Sequence, residues 1–146
     1  MKAVKRIVSV RFEASIYNPI GTLSGKKIAF FLCGDFPEGN GANSRIKAFA
    51  HAFRESGAGV QLVYLWATSF NNDGINKITK GMWEGIPYEF LNNRCTRPRS
   101  YAGKAFDSMR AFVNTFRYFF REHNNIGVCY CYSPDIVFFW PLIICC

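Results

Sequence analysis

The chain has 146 residues, 49% hydrophobic and 19% charged, with a formal net charge of +8. That balance excludes a disordered polyelectrolyte and provides one modest core. The basic excess points to an anionic partner without saying which: a phosphate, a nucleotide or a membrane surface.

Residues 1–25 form a basic lead that ends in the turn-like Asn18-Pro19-Ile20-Gly21, with one short strand candidate at 6–12. It has no apolar stretch long enough for a signal peptide. Residues 26–146 read as one α/β unit. The nearly continuous apolar run 27–33 has the pattern of a strand buried on both faces of a parallel sheet. A loop with three glycines and a proline follows at 34–41. A helix is expected over 42–56, with Ile46, Phe49, Ala50 and Phe53 on its core face, ended by Gly57 and Gly59. The run 60–66 is the second strand. Together these form a βαβ unit, which closes right-handed.

Residues 71–74 and 77–81 read as loops, and 82–90 as a strand or short hairpin around Gly85. A basic, proline-containing loop (92–100, with Arg94, Arg97 and Arg99) leads into a long helix at 101–123. Its broad apolar face holds Ala102, Ala105, Phe106, Met109, Phe112, Val113, Phe116, Phe119 and Phe120. A narrower stripe holds Asp107, Arg110, Asn114, Arg117 and Arg121. The simplest reading lays the phenylalanines on the sheet and the arginines in water; the rival lays the helix on an anionic membrane. Residues 126–132 form a further strand, and Ser133-Pro134 opens a last helix. The apolar tail 136–146 is too short to span a bilayer. It stops without a polar cap, so truncation is expected.

The six cysteines include no C-x-x-C pair, and His51 and His123 lie apart from them, so no zinc site is expected. Cys33, Cys129 and Cys131 lie in apolar runs and read as buried thiols of a reduced, cytoplasmic protein. Nucleic-acid motifs are missing from the sequence, and nucleic acid is not an expected partner.

The strongest chemical signal is Gly39-Asn40-Gly41-Ala42-Asn43-Ser44-Arg45. Glycines and helix N-terminal amides let a phosphate approach. A dinucleotide fingerprint fails, because Ser44 stands at its third glycine and no acid ends the second strand. A Walker A loop fails too, because Lys47 follows Ile46.

The set Gly34-Asp35-Phe36-Pro37, Gly39-x-Gly41-Ala-Asn-Ser-Arg45, Glu55-Ser-Gly57-x-Gly-Val60 and Trp83-Glu-Gly-Ile-Pro-Tyr88 resembles the opening of family 4 glycosyltransferases of the GT-B fold. The resemblance covers about residue 27 to the C-terminus. It implies a Rossmann-like parallel sheet flanked by helices, the incomplete N-terminal, acceptor-side domain of a retaining glycosyltransferase. The implied donor is a nucleotide-sugar and the acceptor a glycan or lipid-linked sugar, with no cofactor and no obligatory metal. Peripheral contact with the inner face of an anionic membrane would suit such an acceptor.

On that resemblance Gly39 and Gly41 allow close approach, and Asn43, Ser44 or Arg45 meets phosphate or acceptor oxygens. Tyr132 and Ser133 become candidate acceptor contacts. The family's donor half with its paired glutamates is absent from these 146 residues, and Tyr132-Ser133-Pro134 stands where many members carry a histidine. No catalytic residue is therefore assigned, and the chain alone is expected to be inactive. The rival function is a non-catalytic Rossmann-like module for a phosphate ligand or partner.

Overall fold

The computed structural model describes residues 25–38, 41–70 and 77–132. Among the described residues seven elements run in the order β1 (Lys27–Leu32), α1 (Gly41–Glu55), β2 (Gly59–Tyr64), β3 (Lys80–Trp83), β4 (Ile86–Phe90), α2 (Tyr101–Glu122) and β5 (Ile126–Cys131). They build an α/β layer around one five-stranded sheet of order β3-β4-β2-β1-β5. The β1–β2, β2–β4 and β1–β5 pairs are parallel; only the β3–β4 hairpin is antiparallel. The lead 1–24, the loop 71–74 and the terminal helix expected from Ser133 onward lie outside the described residues.

β1 is buried from Ile28 to Leu32 because both faces of the sheet are covered. One face packs Phe30, Leu62, Tyr64 and Phe90 with Ile46 and Ala50 of α1. The other packs Phe31, Val63 and Leu65 with Ala111, Tyr118 and Phe119 of α2. Phe49 and Phe53 were expected in the core; they are 47% and 38% exposed, on the shoulder of α1 nearest Tyr130.

The hairpin turns at Glu84-Gly85, between the paired residues Trp83 and Ile86. Both turn residues have positive φ, 47° and 79°, as a two-residue type I′ connection requires. Lys80 and Gly81, expected in a loop, belong to β3 because they pair with Glu89 and Tyr88.

The largest departure from expectation is α2. Ser100 caps it, its Oγ accepting from the Gly103 amide at 3.1 Å. Its buried residues are Asp107, Ala111, Thr115, Tyr118 and Phe119. Phe106, Met109, Val113 and Phe120 are 61%, 61%, 43% and 74% exposed, so most of the broad apolar arc faces out. The inward polar residues have partners. Asn92 Nδ2 donates to the Asp107 carbonyl at 2.8 Å and its carboxylate at 2.9 Å, and Asn114 Nδ2 donates to the Leu91 carbonyl at 2.8 Å. Satisfied polar groups are tolerated at the seam. Small Ala111 and Thr115, whose hydroxyl returns to the Ala111 carbonyl at 2.7 Å, let the helix sit close to the strands.

The cysteine reading also shifts. Cys33, Cys129 and Cys131 are only half-buried, and among the described residues Cys95 is the buried thiol. Among the described residues no helix is long and apolar enough to cross a membrane.

Candidate functional site

Parallel strands deliver their carboxyl ends to one rim. The chain leaves β1 for β2 on one side and later returns through β4 and α2 to β5 on the other. Strand order therefore reverses between β1 and β5, and open α/β sheets form their ligand crevice outside such a reversal. Both candidate segments border it: the loop after β1, and Tyr132, whose amide donates to the Phe31 carbonyl at 3.0 Å.

The loop is held from below. The Gly34 amide donates to the Trp66 carbonyl at 3.1 Å. The Asp35 carboxylate accepts from the Thr68 amide at 3.0 Å, the Thr68 hydroxyl at 2.9 Å and the Ser69 amide at 2.8 Å. The first loop is thereby latched to the segment after β2. Phe36 is fully buried against Tyr64, Trp83 and Tyr88. Tyr64 is also fully buried there, and its hydroxyl has no hydrogen-bond partner among the described residues. Burial pushes that phenol far up, with the Asp35 carboxylate adding to the effect, so it stays protonated.

Of the sequence-derived candidates, Gly41 opens α1, is exposed, and has open space where a Cβ would stand. Asn43 turns inward: it is 5% exposed and its Nδ2 donates to the Asp35 carbonyl. Ser44 and Arg45 point out from the first turn and are exposed. Tyr132 is half-buried against the α1-side core. Gly39 and Ser133 lie outside the described residues.

Lys47, one turn on, sits 4.7 Å from the Trp83 ring centre and 5.6 Å from that of Phe36. On the neighbouring segment the Arg97 guanidinium lies 5.9 Å from the Trp66 ring, and the Arg97 amide donates to the Ser69 carbonyl at 2.7 Å. The rim thus combines half-buried Lys47 and Arg97 and exposed Arg45 with the N-terminal end of α1. Sequence reasoning missed Asp35, Tyr64, Thr68 and Ser69 as parts of the site. An acid three residues past a buried strand, matched by a Thr-Ser pair past the next, was the available signal.

No family model, curated protein or solved structure matches this chain. Among the described residues no group of three His, Cys, Asp or Glu side chains is placed to hold a metal ion.

Proposed function

We propose that this α/β layer is the acceptor-side domain of a retaining glycosyltransferase of GT-B type. It would hold an acceptor glycan, free or lipid-linked, at the carboxyl rim and offer its first loop to the diphosphate of a nucleotide-sugar. The observation that supports this most is the location of the β1–α1 loop at the strand-order reversal, with bare Gly41 and outward Ser44 and Arg45. The amides of the first turn and the Arg45 guanidinium suit a diphosphate. Transfer breaks the anomeric carbon–phosphate oxygen bond and forms one from that carbon to the acceptor hydroxyl oxygen, the hydroxyl proton passing to the departing nucleoside diphosphate. Its charge is what this loop would meet. The paired glutamates of the donor half have no counterpart in these 146 residues, so turnover needs a second βα domain.

Titration with uridine and guanosine diphosphates, followed by amide shifts, is the direct test. Shifts confined to residues 34–45, and an affinity reduced about tenfold by Arg45→Ala, are expected; one charge-assisted contact is worth that much. Diphosphates that leave those amides unmoved at millimolar concentration would overturn the reading. The rival, a non-catalytic phosphate-binding module, shares the loop geometry. It is separated by the reading frame beyond residue 146, which should encode a second βα domain with a glutamate-bearing donor loop if sugar transfer is the activity.

A further inference from the structure

A groove of about 460 Å³ runs along the flank of α2 beside β4, lined by Glu89, Leu91, Phe106, Arg110, Val113 and Arg117 among others. Among the described residues α2 packs over β1, β2 and β5 and reaches β4 through Arg121 and Glu89, while Lys80 and Met82 of β3 stay exposed on that face. Side-chain alternation places Met82 opposite Trp83, on the α2 side, where it is 66% exposed. The position is one that a second helix fills in a doubly wound layer.

The lining also has a definite charge. Glu89, almost buried, is neutralised by Arg121 at 2.9 Å and Lys80 at 3.6 Å. Arg110 and Arg117 are exposed and have no carboxylate partner among the described residues. They stand seven residues apart on one flank of the helix, about 10.5 Å along its axis. Beside them runs the outward apolar arc of Phe106, Met109 and Val113. The remaining parts of this chain are poor in acid: residues 1–24 carry Lys2, Lys5, Arg6 and Arg11 against Glu13, 71–76 carry Asp73 alone, and 133–146 carry Asp135 alone.

We propose that this groove docks an acidic amphipathic helix from another polypeptide or domain. Its apolar stripe would cover Phe106, Met109 and Val113, and carboxylates two turns apart would reach Arg110 and Arg117. A concave, arginine-lined flank beside the exposed edge strand β3 favours a helix over a flat lipid surface. The inference stands apart from the sugar-transfer reading, since it uses neither the β1–α1 loop nor the carboxyl rim.

The probe is a labelled synthetic helix of eighteen residues with a leucine stripe flanked by glutamates at i and i+7, read by fluorescence anisotropy against the intact chain. A matched peptide with lysine for glutamate, and vesicles of mixed neutral and anionic phospholipid, complete the set. Saturable binding of the acidic peptide alone is expected. Arg117→Glu should weaken it at least tenfold, and Val113→Asp should weaken it comparably. Lys26→Glu, an equal charge change at an exposed site outside the groove lining, should leave it within twofold. All three positions are exposed, so matching thermal melts confirm that the variants are folded. Equal binding of both peptides, an equal loss in Lys26→Glu, or uptake by anionic vesicles without peptide binding would each overturn the proposal.

Discussion

Asn43 and Arg45 share the first turn of α1 and face opposite ways, so they should fail differently when removed. Asn43→Ala deletes the buried amide that donates to Asp35. It should lower stability by about 1–3 kcal/mol, the usual penalty for orphaning a buried polar group, measured by urea denaturation. Arg45→Ala, at an exposed position, should leave the melt unchanged within about 0.5 kcal/mol. At the opposite rim, Glu122 accepts from Lys27 Nζ at 2.8 Å, and that hydrogen bond above all, with Asn125 and Arg121, holds its carboxyl down to about 2 from an ordinary 4.5. A depressed folded-state pKa adds stability above the ordinary value, and that stability is lost as pH falls through the lower one. The chain should therefore lose stability between about pH 4.5 and pH 2. Glu122→Gln should be less stable at pH 7 and show a flatter acid limb in the same window, as followed by circular dichroism. Gly85→Ala should cost about 1 kcal/mol or more. It forces a Cβ onto a φ of 79° and into the Arg54 guanidinium, which donates to the Glu84 carbonyl.

At the scale of elements, the strands and helix limits were legible. Continuous apolar runs marked β1 and β2, Gly85 marked the hairpin, and the helix expected at 101–123 matches α2. The buried face of α2 was not legible, for a physical reason. A periodicity count treats Phe106 and Met109 as core and Asp107 and Asn114 as surface; it cannot see that Asn92, a loop residue fifteen positions away, satisfies Asp107. The candidate site was legible only as a loop: glycines marked the connection between β1 and α1, while its fastening by Asp35 to Thr68 and Ser69 depends on two strands lying adjacent. The reversed face makes a prediction that separates the two readings of the helix. Ala111→Leu should destabilise by about 1–3 kcal/mol through overpacking against the strands, whereas Phe106→Ser should change the melt by less than about 0.5 kcal/mol. A helix resting on its phenylalanines would show the opposite ranking.

For the whole molecule, a formal charge of +8 opposes a surface that exposes Phe106, Met109, Val113 and Phe120 together. Copies repel at low ionic strength, and screening removes that barrier while leaving the apolar attraction. Sedimentation velocity should therefore show self-association that grows with added salt, the reverse of an association held by ion pairs. The bonded contacts described above also join end to end. α2 grips Asn92; the chain just beyond, at Arg97, holds Ser69; Ser69 holds Asp35; and Asp35 holds Asn43 at the start of α1. A helix docked on α2 as proposed would therefore pull on one end of a tether whose far end is the first turn of α1. Slower deuterium uptake at the Thr68 and Ser69 amides on peptide docking would show that tension passing along it.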